Sequence, residues 1–181
     1  MTKIALTGGI ACGKSLLSSY LNACGVETID ADEVTHGLIP DPAERRRIAA
    51  EVFADPVKRR ALESRLHPLI KAKIDAFLSS PPPSLRSPLR LAVIPLLFEV
   101  HWEENFDIIC CVTSSRANQI DRMMRTRGYT REEAEARLAA QMPVSEKAAK
   151  SHYVIENDGT AEELRAKVVA FVDWLNGQIK Q

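Results

Sequence analysis

A chain of 181 residues with 45% hydrophobic side chains is long enough to bury a full core in one α/β domain. Lysine plus arginine equals aspartate plus glutamate at 24 each, which excludes a global basic field for nucleic acid or an anionic membrane and makes any anion site local. No apolar run approaches the roughly 20 residues that span a bilayer, and Cys12, Cys24, Cys110 and Cys111 have neither zinc-site nor secreted-scaffold spacing, so a cytoplasmic protein with reduced thiols is expected.

The first predicted strand, Ile4 to Leu6, leads into Gly8-Gly9-Ile10-Ala11-Cys12-Gly13-Lys14-Ser15, followed by the helical pattern Leu16, Leu17, Tyr20, Leu21. GxxxxGK[ST] between a strand and a helix is the P-loop pattern. Gly8 and Gly13 open backbone angles closed to other residues, so successive N–H groups converge on phosphate oxygens at the positive end of the helix. Lys14 neutralises β/γ charge and the Ser15 hydroxyl ligates Mg²⁺. A nucleotide triphosphate is thus expected on Gly8, Gly9, Ala11, Cys12, Gly13, Lys14, Ser15 and Leu16; the alternative, a chance Gly-rich turn, is disfavoured by the flanking strand and helix. Cys12 lies beside Lys14 where a helix opens, which favours a reactive thiolate if the loop is solvent-exposed, whereas a small buried thiol would only fill space.

A second strand, Val26 to Ile29, ends on Asp30-Ala31-Asp32, at the sheet edge where ligands bind in open α/β folds. A carboxylate here can receive an acceptor's proton or cap a helix. Helical patterning then runs from about Pro42 to Leu78, either as an acceptor-binding insertion or as an elaborated crossover. Ser79 to Pro88 is a Pro-rich loop, given no chemistry. The third strand, Leu89 to Ile94, ends on Pro95 without an aspartate, so a Walker B-like carboxylate must come from elsewhere, or Mg²⁺ must rely on Ser15 and water, with Glu99 a candidate outer partner.

Cys110 and Cys111 sit in the fourth strand, Ile108 to Val112, and point to opposite faces. Arg116, Arg122, Arg125, Arg127, Arg131 and Arg137 follow on two helical segments joined at Gly128; such a hairpin can close over ATP as a lid, though most of these side chains fit a solvated face. Thr130 with Glu133 forms a capping box opening a helix over Arg131 to Gln141, and Thr160 with Glu163 opens a closing helix after the fifth strand, Tyr153 to Ile155. No NKxD-type base-reading segment of a GTPase is present, and the pattern reads as a kinase.

The ordered set LTGGIACGKS, IDADEVTH, VFADP, LESRLHPLI, PLLFE, the spaced Gln119, Arg122, Arg127, Thr130, Arg137 and Gln141, and VIENDG resembles the dephospho-coenzyme A kinase family over nearly the whole chain. The resemblance implies a three-layer P-loop fold with a five-stranded parallel sheet, one kinase domain over 1–181, a helical acceptor-binding insertion at about 33–80 and a lid at about 115–150. It implies ATP and Mg²⁺ as cofactors and dephospho-coenzyme A as the substrate. Asp32 would be the catalytic base with Asp30 supporting it, Arg137 (and more weakly Arg122) would reach ATP phosphates, and Asn157 would lie near the adenine. His67, Pro95, Leu96 and Glu99 would shape the acceptor site. The family's usual GGIGSGKST is altered at Ala11, Cys12 and Leu16, and an FG-bearing stretch after Leu38 is missing. Alternatives are a kinase of a nucleoside monophosphate, shikimate or gluconate, or a nucleotide-binding regulator without turnover. The oligomeric state is left open, with a monomer as the expectation.

Overall fold

The computed structural model describes residues 2–80 and 89–179, so the predicted Pro-rich loop lies outside it from residue 81 onward. Five strands form, β1 (Ile4–Gly8), β2 (Glu27–Asp30), β3 (Arg90–Val93), β4 (Ile108–Thr113) and β5 (Tyr153–Glu156), with helices α1 (Lys14–Ala23), α2 (Ala31–Leu38), α3 (Pro42–Ala54), α4 (Pro56–Ser79), α5 (Arg116–Arg127), α6 (Arg131–Ala139), α7 (Val144–Ala149) and α8 (Ala161–Ile179). The chain divides into two compact units, residues 1–28 with 81–181, and residues 29–80.

In the first unit the sheet order is β2-β3-β1-β4-β5. The β1–β3, β1–β4 and β4–β5 pairs are parallel, with Leu6 opposite both Val93 and Cys110, and Val112 opposite Ile155. Strands β2 and β3 lie on one side of β1, and β4 and β5 on the other, so the chain's topological switch lies at the carboxyl end of β1, the place where an open parallel sheet leaves a crevice. That end is Gly8. Helices α1 and α8 pack on each other, and Leu17, Leu21, Leu164, Val168, Phe171 and Leu175 join strand residues Ile4, Leu6, Leu91, Val93, Cys110 and Val112 in one core. Each large aliphatic or aromatic side chain buried there contributes about 1.5–3 kcal/mol. Cys110 and Cys111 are both fully buried, and burial pushes the Cys111 thiol up to about 12. At the sheet margin, Arg90 pairs with Glu27 at 2.8 Å.

Helix α6 stops at Ala139, two residues before the expected end at Gln141. Pro143 cannot continue a helix and restricts the residue before it. The freed N–H of Met142 instead donates to Glu99 Oε1 at 3.1 Å.

The second unit is three helices, each started by an aspartate. Asp30 Oδ1 accepts from the Asp32 N–H at 2.7 Å, Asp41 from Ala43 at 2.9 Å, and Asp55 from Val57 and Lys58. Asp-Pro at the start of α3 and of α4 combines an N-cap with the one helical position where proline costs nothing. Backbone donation from Lys58 and Val57 holds the Asp55 carboxyl below its ordinary range. The guanidinium of Arg45 donates to the carbonyls of Ile39 and Pro40 at 2.7 and 2.9 Å, beyond the C-terminus of α2. Among the three helices lies a largely apolar cavity of about 490 Å³, with Thr35, His36, Val52, Leu62 and Leu66 in its lining.

Candidate active site

The loop between β1 and α1 is held in a shape that ordinary residues resist. Gly8 has φ 149° and a Cβ there would collide with the Val112 carbonyl; Gly13 has φ 95° and a Cβ would collide with the Asn157 amide. Ala11 has φ 58°, so the substituted position does need the left-handed region and carries strain of about 1–2 kcal/mol that glycine would avoid. Among the described residues, α1 begins with no side-chain cap, whereas side chains cap α2 through α6. The start of a helix of this length, entered through a glycine in the left-handed region, is the kind of terminus that favours an anion. Lys14 Nζ folds over this loop, donating to the Gly8 and Gly9 carbonyls at 2.9 and 2.8 Å. Ser15 and Leu16 are exposed at the start of α1.

Three consecutive carbonyls of the loop are taken by side chains from elsewhere in the first unit. Gln119 Nε2 donates to Ile10 O at 2.7 Å, Arg122 Nη1 to Ala11 O at 3.2 Å, and Asn157 Nδ2 to Cys12 O at 2.8 Å. Arg122 Nη2 also donates to Asn157 O at 2.6 Å, and Gln141 Oε1 accepts the Ile10 N–H at 3.2 Å. Asn157, the residue expected near the adenine, lies against this loop, and its side-chain amide binds the loop backbone. Gln119, Gln141 and Arg116 also line a cavity of about 380 Å³ beside Gly9 and Ile10.

Of the two readings of Cys12, the structure contradicts the reactive thiolate and gives the buried thiol. Its side chain is fully buried within the main core, and burial pushes the thiol up despite the opposing pull of Lys14. Burial removes both access and thiolate, the two things reactivity needs.

Beyond β3, Pro95 and Glu99 meet a residue that sequence reading passed over. Lys147 of α7 is fully buried, with Nζ 2.7 Å from Glu99 Oε1 and 2.8 Å from Pro95 O. Thr7 of β1 donates to the same Pro95 carbonyl at 3.3 Å. Glu99 therefore serves first as the internal partner of Lys147 and Met142, while its Oε2 is buried without a hydrogen-bond partner among the described residues. Leu96 is 42% exposed. In a short amphiphilic helix reading VSEKAA, a lysine gives no signal of burial; only the packing of α7 on β1 and β4 creates it.

Arg137 is exposed on α6, its guanidinium 4.1 Å from the centre of the Tyr129 ring. The hydrogen bond from Arg137 lowers the Tyr129 phenol below its ordinary value. Asp30, Asp32 and His67 belong to the second unit: Asp30 caps α2, Asp32 is exposed in that helix's first turn, and His67 is half-buried in the middle of α4, just before Pro68.

The family model described as dephospho-CoA kinase matches residues 2–44 and 40–163. The chain belongs to the dephospho-CoA kinase family. A dephospho-CoA kinase of Anaeromyxobacter dehalogenans is 37% identical over 98% of this chain and 93% of its own length. A crystal structure from Thermus thermophilus superposes with TM-score 0.79 at 32% identity, covering 96% of this chain and 97% of that one. The shikimate kinase of Acinetobacter baumannii shares the fold, with TM-score 0.63 at 15% identity over 98% and 94% of the two chains. Membership of the dephospho-CoA kinase family makes this chain a nucleotide-using kinase of coenzyme A synthesis with the three-layer α/β P-loop fold.

Proposed function

We propose that the chain transfers the γ-phosphoryl group of ATP to the 3′-hydroxyl of dephospho-coenzyme A, giving coenzyme A and ADP. The observation that carries this is the strained, uncapped loop at the carboxyl end of β1, with Lys14 folded over it, in a chain of this family. Lys14 leaves the two glycine carbonyls for the β/γ-phosphates, and the loop's backbone N–H groups cover the remaining charge. Gly8, Gly9, Ala11, Cys12, Gly13 and Leu16 contribute backbone rather than side-chain chemistry. Arg137 leaves the Tyr129 ring to reach phosphate oxygens from a lid formed by α5 to α7, and Asn157 borders the adenine.

The residues present fit Mg²⁺ in one way. Ser15, exposed in the first turn of α1 and carrying a hydroxyl oxygen of the kind Mg²⁺ takes, would be the protein's ligand to the ion. The ion supplies charge neutralisation on the phosphoryl oxygens. Asp32 accepts the proton of the attacking hydroxyl, and Asp30 fixes the turn from which Asp32 projects. For the acceptor, the roles are assigned to His67 in the helical unit, which also holds the 490 Å³ cavity, and to Pro95, Leu96 and Glu99 in the first unit. In this reading the chain acts in the cytoplasm, with a monomer favoured and the oligomeric state left open.

A coupled assay of ADP release tests the reading, with dephospho-coenzyme A, AMP and shikimate offered separately. Turnover with the first alone, abolished by Lys14→Ala in a protein that keeps its circular dichroism spectrum, is the expected result. Turnover with shikimate or AMP but not dephospho-coenzyme A, or a near-normal Lys14→Ala rate, overturns it.

A further inference from the structure

We infer that Gln119 and Arg122 are positioning residues that hold Ala11 in its left-handed conformation, doing by hydrogen bonding what glycine would do by lacking a side chain. The peptide plane before Ala11 presents its carbonyl, Ile10 O, to Gln119 at 2.7 Å; the plane after it presents Ala11 O to Arg122 at 3.2 Å. Both donors stand on α5 three residues apart, the spacing that puts side chains on one helix face. With both flanking planes held, φ and ψ of Ala11 are fixed from either side, which is how a strained residue persists.

The clamp is itself well anchored. Gln119 is 3% exposed, so its amide has no water to turn to if the Ile10 carbonyl moves away. The preceding peptide, Gly9–Ile10, is held as well, the Ile10 N–H donating to Gln141 Oε1 at 3.2 Å. Arg122 is braced by the Ser114 hydroxyl at 3.3 Å and by Asn157 O at 2.6 Å, and Asn157 continues the series onto Cys12 O. In a trans peptide the N–H opposes the C=O. Turning the Ile10 and Cys12 carbonyls toward these donors therefore turns the N–H groups of Ala11 and Gly13 the other way, toward the inside of the loop, where phosphate oxygens are bound in the reading this inference rests on.

The test is a double-mutant cycle on nucleotide binding, read by calorimetric titration with Mg·ATP in the absence of acceptor. Gln119→Met keeps volume and removes the donor; it is expected to weaken ATP about tenfold, with the KM for the acceptor unchanged. In an Ala11→Gly background, where no side chain resists the left-handed region, the same change is expected to cost about twofold or less. A role in packing alone would cost the same in both backgrounds, and that result overturns the inference, as does an unchanged affinity of Gln119→Met. If Gln119→Met does not fold, the cycle is run with Arg122→Met, to the same criterion. If the unmodified chain fails to bind Mg·ATP, the nucleotide reading falls and this inference with it.

Discussion

Replacing Lys147 by methionine tests whether the buried cation organises the segment after β3. Methionine matches the lysine stem in length, so the cavity left is small, and the cost is electrostatic. The change removes bonds of 2.7 Å to Glu99 and 2.8 Å to Pro95. Breaking one side of a buried ion pair costs about 3–5 kcal/mol. The lower end applies, because the Glu99 side chain is 22% exposed and keeps the Met142 N–H, while Pro95 O keeps the Thr7 hydroxyl. A loss of about 3 kcal/mol in a chain of this size lowers Tm by about 6–12 °C. Urea and thermal unfolding of Lys147→Met, Glu99→Leu and the double variant measure it, with the double variant at least about 1.5 kcal/mol better than the sum of the singles. A Lys147→Met loss under about 1 kcal/mol, or strict additivity, would refute the idea that the two charges depend on each other.

Asp32→Asn should lower kcat far more than ATP affinity, whereas Asp30→Asn, which still caps α2, should change stability by less than 1 kcal/mol and activity modestly; steady-state kinetics with unfolding curves would show reversed roles if they exist. Cys12 should resist a thiol reagent in the folded chain and label only in urea, as peptide mass mapping will show; rapid native-state labelling at Cys12 contradicts its burial. Although burial opposes it, hydrogen bonds from Ser114, Asn118 and Ser115 bring the Asp158 carboxyl down to about 2 from 3.8. A depressed folded-state value means stabilisation that is present above about pH 4 and lost as pH falls toward 2. In Asp158→Asn the slope of Tm against pH in that window should flatten, and an unchanged slope would remove Asp158 from the account.

The sequence determined the local features. Strand runs, Asp-Pro helix starts, the Thr130–Glu133 box and GxxxxGKS each depend on residues close along the chain, so propensity, capping and turn chemistry specify them without a third dimension. The ordered motifs likewise carried the family. Tertiary structure decided what each polar side chain spends itself on. The sequence marks Arg122 as the weaker candidate for ATP phosphates and Asn157 as a neighbour of the adenine, and only the fold shows that their donors meet the carbonyls of Ala11 and Cys12, more than a hundred residues away in sequence. Cys12 stayed open between a reactive and a buried thiol because its charged neighbour Lys14 is visible in the sequence and the core behind it is not. Lys147 gave no signal at all, since a lysine's burial depends on the distant carboxylate and carbonyl that meet it. Whether a position is buried or an acceptor lies within 3 Å is a property of packing between distant segments, and no local pattern encodes it.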